Sequence, residues 1–422
     1  MVIRAPEFEP VVIERDLTDG YWIQPVDVDG DGRPDLVTSG LADGVVAWYR
    51  NGSWDKHVIA RFEKPVSLAT ADIAGAGRHD LVVCHDYGGC MFDCGPDDGK
   101  ISWLRNPGTV DGSEWERRSI GSLVATHRLR VGAFTHPAAT ELLALPVVGP
   151  DGGQAAVHAP IRVTLYRPPQ NVLEADAWDA EVVDDQTFRI IHGVAVGSWG
   201  PSAEEGVAST LLASEEGLTW FGHAGGGWQH MHLGTGEPDP VGEQRFRGSG
   251  NVAVGRIGDD PTAYIATVEP FHGRTIAVYA KDQPGIDLVD ARWRRIVLDD
   301  FGDVNERGEG PAHHVVAADF DGDGDDEFLV ALRGPMPFQG VFYYKAVDVM
   351  SGLWIKTRVS TPSAARIAVA DFDGDGRLDF ATTGYYTPGY FLCDDPQNVV
   401  FLNRYGAPTE AQPAIPSGPL GG

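Results

Sequence analysis

The chain has 422 residues, with 33 Lys and Arg against 61 Asp and Glu, and therefore a formal net charge of −28. This charge disfavours nucleic acid and anionic membranes as partners, because binding to phosphates requires clustered Lys and Arg. No apolar run approaches the ~20 residues of a transmembrane helix. The 42% hydrophobic content is sufficient for a core, so we expect a folded, soluble protein whose acidic groups could hold cations.

A short motif recurs along the chain: an aromatic residue followed by a strand-like run that ends in Ile, Val or Leu. Six copies begin at Trp54, Trp115, Trp178, Trp228, Trp293 and Trp354. A seventh copy begins at Phe8, ahead of any other strand. A second aromatic strand precedes each copy, and two further apolar runs follow it. This pattern predicts seven units of four short strands each.

Four-stranded units that repeat in this way are typical of a β-propeller. The last unit has three strands between Arg366 and Leu402, and the copy at Phe8 supplies the fourth, which closes the ring and covers two sheet edges. The sequence therefore predicts an all-β fold, a single seven-bladed propeller over residues 1–407 in which residues 8–15 complete the last blade. Residues 408–422 are expected to form a Pro- and Gly-rich tail.

Three units carry the same acidic loop after their first strand, at residues 27–35, 319–327 and 371–379. Carboxylates at positions 1, 3, 5 and 9, with a carbonyl at position 7, form the oxygen-rich shell that Ca²⁺ prefers. The expected ligands of structural calcium are Asp27, Asp29, Asp31, Asp35, Asp319, Asp321, Asp323, Glu327, Asp371, Asp373, Asp375 and Asp379. The loops resemble the calcium loops of FG-GAP/VCBS repeats. The alternative is three acidic turns without an ion.

A fourth copy of the loop, residues 72–80, has Ala at positions 3 and 5 and is expected to bind no metal. Because strands alternate in direction across a blade, all these loops are expected on one face of the disc. The loops that enter the first strands, and those that join the second and third strands, belong to the opposite face. We expect any chemistry on that opposite face.

One residue per unit lies five positions before the start of the acidic loop or its equivalent. These residues are Trp22, Ser67, His127, His192, Gly250, His314 and Arg366. We expect them to ring the mouth of the central channel, with His313 beside them. The loops between second and third strands add His85, Tyr87, His272, Tyr386 and Tyr390. Neutral imidazoles around one axis suit a transition metal or acid–base catalysis, although a single buried histidine is more often structural.

Other features of the sequence leave several questions open. No nucleotide-binding, hydrolase or zinc-protease signature occurs in its required context. Cys90 and Cys94 are compatible with a local disulfide, free thiols or part of a metal site. No signal peptide is visible, which slightly favours the cytoplasm over secretion, and an oligomer is possible.

Segments on the face opposite the acidic loops follow a familiar order. They are residues 19–22, 101–108, 127–129, 268–273, 297–302, 313 with the loop that follows it, and 388–391. Together they resemble the N-terminal propeller of the aldos-2-ulose dehydratase (1,5-anhydro-D-fructose dehydratase) family. The resemblance implies a metal-assisted dehydratase site at the channel mouth, with His127 as the first catalytic candidate. It also implies histidine at 192, 272 and 313, whereas His85, His314, Cys84, Cys90 and Cys94 depart from it.

The resemblance implies a carbon–oxygen lyase that dehydrates 1,5-anhydrofructose or an aldos-2-ulose. Sugar dehydration is a β-elimination that needs a base, a stabiliser for the enolate and an acid. The hypothesised roles are His127 as base or metal ligand, His192 and His313 as metal ligands or acid, Arg128 or Arg366 as oxyanion clamp, and Tyr87 or Tyr386 as proton donor. His85 is a further catalytic candidate. Residues expected to bind substrate are Trp22, His272, His314 and Tyr390.

The active-site ion, if one is bound, would be Zn²⁺ or another divalent cation. The family's cupin domains are linked to its isomerase step, so no isomerase activity is expected of this sequence. Two alternatives stay open. One is a polysaccharide lyase that cleaves rhamnosyl-glucuronate ends by the same chemistry. The other is a non-catalytic FG-GAP propeller that binds a glycan or a protein.

Overall fold

The computed structural model describes residues 6–88, 91–109 and 112–406. The described chain forms seven four-stranded antiparallel sheets and one additional two-stranded sheet. These seven sheets confirm the seven-bladed propeller predicted from the sequence. The predicted tail at 408–422 and Cys90 lie outside the described residues.

The strands follow in chain order, beginning with β1 (Phe8–Glu14). Blade 1 comprises β2 (Trp22–Val26), β3 (Asp35–Ser39), β4 (Val45–Tyr49) and β5 (Lys56–Arg61). Blade 2 comprises β6 (Ser67–Ala71), β7 (Asp80–His85), β8 (Lys100–Arg105) and β9 (Glu116–Ser122). Blade 3 comprises β10 (Thr126–Gly132), β11 (Glu141–Pro146), β12 (Val163–Arg167) and β13 (Asp179–Asp184), with a 3₁₀ turn at Gln154–Ala156.

Blade 4 comprises β14 (Gly193–Gly197), β15 (Ser209–Ser214), β16 (Gly217–Ala224) and β17 (Gly227–Gly234), with helix α1 at Gly200–Glu204. The hairpin β18 (Glu237–Val241) and β19 (Phe246–Gly248) follows it. Blade 5 comprises β20 (Asn251–Ile257), β21 (Asp260–Glu269), β22 (Thr275–Lys281) and β23 (Trp293–Asp300). Blade 6 comprises β24 (Ala312–Ala318), β25 (Glu327–Arg333), β26 (Gln339–Asp348) and β27 (Leu353–Ser360). Blade 7 contains β28 (Arg366–Ala370), β29 (Asp379–Thr383) and β30 (Asn398–Asn403).

The N-terminal strand closes the ring as predicted. Strand β1 pairs antiparallel with β30, so the sheet order in blade 7 is β1-β30-β29-β28. The Phe8 ring packs against that of Phe380 with 4.8 Å between centroids. The first and last parts of the chain therefore hold each other in one sheet, and β1 covers the edge that β30 would otherwise leave open.

Burial differs between the strands of a blade. The second strands are buried along their whole length, as in β3, β7 and β11, except for Pro261 and Ala263 near the start of β21. The fourth strands alternate exposed and half-buried residues, as in β27. A strand covered on both faces is apolar throughout, whereas an outer strand alternates because one face meets water. No helix of the described part of the chain is long and apolar enough to cross a membrane.

The first strands of the seven blades surround the central channel, and their pairing with the second strands corrects one sequence prediction. The register places Trp22, Ser67, Arg128, Gly193, Asn251, His314 and Arg366 at one level. We call these residues the lower layer. The residues that precede them, Tyr21, Val66, His127, His192, Gly250, His313 and Ala365, form the upper layer.

The predicted ring mixed the two layers. Its members Trp22, Ser67, His314 and Arg366 belong to the lower layer, whereas His127, His192 and Gly250 belong to the upper one. The count failed in the three units that have no copy of the acidic loop, because it started there one residue too early along the first strand. The pairing places Arg128, Gly193 and Asn251 at the level of Trp22. The β-bulges between Thr126 and Arg128 and between Ala312 and His314 lie before the lower layer and do not change its level.

Candidate active site

The upper layer lies beneath a cavity of about 320 Å³ on the face opposite the acidic loops. Aromatic, histidine and acidic side chains line its wall: Tyr21, Tyr87, His127, Phe271, His272, Glu309, Tyr385 and Tyr390. The cationic side chains of Lys64 and Arg307 also line it. A concave site with a few polar groups among aromatic rings is the usual form of a small-molecule site.

Three buried histidines meet below this cavity. Ligand nitrogens of His192, His272 and His313 all lie within 4.8 Å of one another. The Nδ1–H of His192 donates to the carbonyl oxygen of Gly250 at 2.7 Å, and that of His313 donates to the carbonyl oxygen of Ala365. These bonds fix the tautomers, so that the Nε2 atom of each ring carries the lone pair.

Backbone geometry at Gly250 permits the first of these bonds. A Cβ atom at this position would lie 1.6 Å from the carbonyl oxygen of Phe271. Any other residue would therefore displace Phe271 and the neighbouring His272. Glycine allows the blade 5 backbone to approach the His192 ring closely.

The Nε2 lone pairs have few protein partners. The Nε2 of His313 is buried and has no hydrogen-bond partner in the described part of the chain. The Nε2 atoms of His192 and His272 lie 3.1 Å apart, and Arg128 donates to the Nε2 of His192 at 2.9 Å. A metal ion bound to His192 would replace Arg128 as the partner of that lone pair.

Glu309 connects His272 to the cavity wall. The Tyr390 hydroxyl donates to Glu309 at 2.5 Å and lies 3.1 Å from the Nδ1 of His272. The buried guanidinium of Arg333 lies 3.4 Å from the same carboxylate and donates to the carbonyl oxygen of Gly310. A carboxylate that orients a histidine in this way is a usual partner of metal-binding histidines.

His127 lies beside the three histidines and contacts the cavity. Its ring centroid is 5.1 Å from that of His192, and its Nε2 lies 3.1 Å from the Tyr21 hydroxyl. The Nδ1 atom of His127 is buried and has no hydrogen-bond partner among the described residues. His127 therefore has one ring nitrogen that no other group of the described chain engages.

Burial and nearby cations keep the cluster neutral. Burial, together with the Arg128 guanidinium, lowers the pKa of His127 and His192 well below the usual value, and burial also lowers that of His313. Burial and Arg333 lower the pKa of His272 to about 4. Burial raises the pKa of Glu309, but Arg333, His272 and Tyr390 outweigh it, so the pKa lies below its usual value and the carboxylate is ionised.

The remaining predicted site residues lie elsewhere. The His85 ring is hydrogen-bonded to Asp86 and Ser102 and packs on Phe62, away from the cavity. Tyr386 does not line the cavity, whereas the adjacent Tyr385 does. Arg128 is fully buried beneath the histidines. The lower-layer residues Trp22, His314 and Arg366 do not line the cavity either.

Sequence reasoning missed four residues of the site, namely Tyr21, Glu309, Arg333 and Tyr385. Tyr21 and Tyr385 each adjoin a residue that was singled out, so the error was one position. Glu309 stands in the turn Gly308-Glu309-Gly310 before a first strand, on the predicted catalytic face. This position in the sequence could have identified Glu309 as a candidate site residue. Arg333 ends a buried strand, and nothing in the sequence around it indicates a role in the site.

The acidic loops are folded by their carboxylates at positions 1 and 9. Asp27 accepts hydrogen bonds from the amides of Gly30 and Gly32, and Asp35 accepts those of Val28 and Asn51. In the loop without middle carboxylates, Asp80 likewise accepts the amides of Ile73, Ala74 and Asn106. The turn therefore persists where the predicted ligands are missing, as the sequence predicted.

The three full loops differ in what faces their carboxylates. Each brings three carboxylates within 4.8 Å of one another. Half-exposed or exposed arginines pair with the first and last loops, as Arg50 does with Asp29 and Arg404 with Asp373. In the 319–327 loop, the ammonium of the buried Lys345 lies 2.5–2.8 Å from Asp321, Asp323 and Glu327.

The cysteines of the described chain are free. Cys84, Cys94 and Cys393 are buried and unpaired with one another. Burial raises the pKa of the Cys84 thiol to about 12, so it is not reactive at neutral pH. Cys90 lies outside the described residues, so a pairing between Cys90 and Cys94 stays an open prediction.

Fold and site together define a β-propeller with a buried histidine cluster beneath a tyrosine-lined cavity. Residues 98–282 match the family model described as the aldos-2-ulose dehydratase β-propeller domain, and residues 27–83 match an FG-GAP-like repeat. The chain is 36% identical over 423 residues to aldos-2-ulose dehydratase of Phanerodontia chrysosporium, with 94% of this chain covered. These findings confirm the resemblance seen in the sequence: the chain is a relative of the aldos-2-ulose dehydratase propeller.

The match covers 46% of the Phanerodontia chrysosporium protein, so the chain spans about half the length of that curated relative. Solved structures are similar in fold alone. One is RRP9 WD40 repeats, with 9% identity, a TM-score of 0.53, and 96% of this chain and 100% of that chain covered. Another is BBS1N in complex with ARL6DN, with 12% identity, a TM-score of 0.52, and coverages of 93% and 96%.

Proposed function

We propose that this chain is a carbon–oxygen lyase that dehydrates a sugar by β-elimination, with 1,5-anhydrofructose or an aldos-2-ulose as substrate. The observation that carries the proposal is the cluster of neutral histidines beneath a tyrosine-lined cavity. It is supported by the relation to the dehydratase propeller. The cavity, at about 320 Å³, suits a ligand of monosaccharide size.

The residues present fit a Zn²⁺ or another divalent ion. His192, His272 and His313 would hold it through the Nε2 atoms, with the fourth position open toward the cavity. The unpartnered Nε2 of His313 and the 3.1 Å approach of two Nε2 atoms support this fit. When bound, the ion would polarise the sugar carbonyl next to the acidic C–H bond. His127 was the first choice as third ligand from sequence, and the contacts favour His272.

The chain's own residues fit the proton transfers. His127 is neutral, contacts the cavity and has a nitrogen without a partner, which suits the base that removes the C–H proton. Burial and Glu309 raise the pKa of Tyr390 well above its usual value, so the hydroxyl keeps its proton and suits the acid at the departing oxygen. Tyr87 is the second candidate for this acid.

Arg128, proposed from sequence as an oxyanion clamp, would act differently. It is fully buried and donates to the carbonyl oxygen of His192, so it positions that residue and does not touch the substrate. Arg366 lies outside the cavity as well. Lys64 and Arg307 at the cavity wall would instead stabilise the enolate.

The test is an absorbance assay on the purified chain, supplied with zinc, with 1,5-anhydrofructose or glucosone as substrate. We expect a growing enone band, a loss of at least 100-fold in rate for His127→Ala, and full activity for the control His230→Gln, an exposed residue of β17. Zinc content measured on purified His272→Ala should fall below one per chain. No enone from either sugar would refute the dehydratase.

The cationic residues at the cavity favour one second candidate, the polysaccharide lyase. Lys64 and Arg307 would pair with the carboxylate of a glucuronate unit. Gum-arabic oligosaccharides in the same assay would then give the unsaturated-uronate band. Absence of both bands would leave a non-catalytic propeller.

We also propose structural Ca²⁺ in the acidic loops at 27–35 and 371–379. Three carboxylates meet in each, and the facing arginines are exposed enough to move aside. Calcium would lower the repulsion among these carboxylates and stabilise the turn. Isothermal titration calorimetry of the purified chain with calcium would count the sites.

A further inference from the structure

The lower layer and the channel below it contain arginines that lack acidic partners. Arg128 donates to the carbonyl oxygens of His127 and His192, and Arg130 donates to that of Val194. Arg366 stacks on the Trp22 ring at 3.8 Å, and Arg128 lies 5.7 Å from the same ring. No carboxylate of the described chain pairs with any of the three guanidinium groups, although the protein carries a net charge of −28.

Arg366 is the least satisfied of these arginines. It is 6% exposed, and its buried Nε and Nη1 atoms have no hydrogen-bond partner among the described residues. A buried donor that is left unpaired destabilises the fold, and more so when the group is charged. Burial and the charges of Arg128 and Arg130 lower the pKa of Arg366 well below its usual value. A negatively charged acceptor beside Arg366 would pair with its unpartnered donors and offset the charges of Arg128 and Arg130.

His314 shows the same deficiency. Its Nδ1 faces the amide N–H of Ile367 at 3.2 Å, and its Nε2 faces the Nη2 of Arg366 at 3.0 Å. A neutral imidazole carries one proton, so it can accept at only one of its nitrogens. With Nδ1 accepting from Ile367, the Nε2–H of His314 and the N–H of Arg366 point at each other. Two facing donors require an acceptor between or beside them.

The surroundings of Arg366 and His314 are separate from the candidate active site. Arg366 and Trp22 line a channel of about 500 Å³ that does not include the cavity residues, and His314 lines an adjoining space with Arg130 and Asn251. A small ion can therefore reach the lower layer from the side opposite the substrate.

We propose that the lower layer binds a small inorganic anion of the size of chloride, held by the guanidinium of Arg366 and the Nε2–H of His314. The anion supplies the acceptor that both donors lack. It also offsets the positive charge of Arg128, which lies against the histidine cluster. The inference rests on hydrogen bonding and charge and is independent of the proposed activity.

Bromide identifies the site directly. Crystals of the wild-type chain grown in sodium bromide should give an anomalous peak within hydrogen-bond distance of Arg366. Replacing sodium gluconate by sodium chloride at constant ionic strength should raise Tm by about 3 °C when chloride is near 100 times its Kd. No peak in the channel, or equal Tm values in the two salts, would overturn the proposal.

Variants separate this site from general salt effects. Arg366→Gln should abolish the difference in Tm between chloride and gluconate. Arg189→Gln is the matched control, because Arg189 pairs with Glu216 outside the channel at 3.0 Å, and it should keep the difference. An unchanged chloride effect in Arg366→Gln would refute the site. If that variant does not fold, the bromide peak in the wild type decides.

Discussion

Lys345→Met tests whether an internal ammonium takes the place of a metal ion in the 319–327 loop. The Lys345 ammonium contacts three carboxylates, and the side chains of Asp321 and Glu327 are only 3% and 1% exposed. Removing one partner of a buried ion pair costs about 3–5 kcal/mol, because the remaining charge stays buried without compensation. We expect the lower end of this range, since Asp323 is exposed and remains solvated.

The expected loss of stability can be converted into a melting temperature. At about 2.1 cal/mol/K of unfolding entropy per residue, 3 kcal/mol corresponds to a Tm about 3–4 °C lower in EGTA. Without the ammonium, the loop regains the same carboxylate set as the other two and should bind calcium. Calcium at about 100 times its Kd restores about 2.7 kcal/mol, so Tm should return close to that of the wild type.

Calorimetric melting in EGTA and in calcium measures the loss and its recovery, and isothermal titration counts two sites in the wild type and three in the variant. Lys281→Met is the control: Lys281 is 2% exposed, and its ammonium contacts both oxygens of Asp260 and the carbonyl oxygen of Ile286. It should lose stability, but calcium should not restore it, because a single carboxylate remains. Three equal calcium sites in the wild type would refute the reasoning.

Three further predictions follow from particular contacts. As pH falls from about 7 to 5, the metal-free wild type should lose stability relative to His272→Gln, because the unfolded wild-type chain binds a proton near pH 6.5 that His272, with a folded pKa of about 4, does not take up; urea unfolding of both proteins should show this difference, and a difference that does not change with pH would contradict it. Phe8→Ala should cost about 2 kcal/mol in urea unfolding through the lost packing on Phe380, whereas Glu9→Ala, at an exposed position beside it, should cost under about 0.5 kcal/mol. Glu309→Gln should lower any dehydratase rate at least tenfold while the far-ultraviolet circular dichroism stays unchanged, because Tyr390 and His272 lose their carboxylate; unchanged kcat and KM would exclude this positioning role.

Local patterns were enough for the architecture. Strand alternation, turn residues and the repeated aromatic motif each depend on neighbours within about ten residues. The copy of the motif at Phe8 also predicted a long-range contact, because only closure of the ring explains why a strand of the last blade lies at the start of the chain. The acidic loops could also be identified from the sequence, because their carboxylates follow one another at a fixed spacing.

The candidate site was only partly readable. His127, His192, His272, His313 and Tyr390 were singled out from the sequence, and the structure brings them together. Counting back from the loops put Arg366 and His314 at the cavity, whereas the pairing of their strands places both in the layer beneath it. Register is set by hydrogen bonds between strands, and the three units without an acidic loop offer no fixed residue from which to count.

The net charge of −28 also shows which features the sequence determines and which depend on the tertiary structure. The sequence by itself determined that the acids cluster in loops on one face, because those loops repeat with the blades. Only the tertiary structure decided that Lys345 pairs with one loop, that Glu309 supports His272, and that Arg128, Arg130 and Arg366 have no carboxylate partner in the described chain. Each of these pairs residues from different strands or blades, and such distances depend on how the blades pack around the axis.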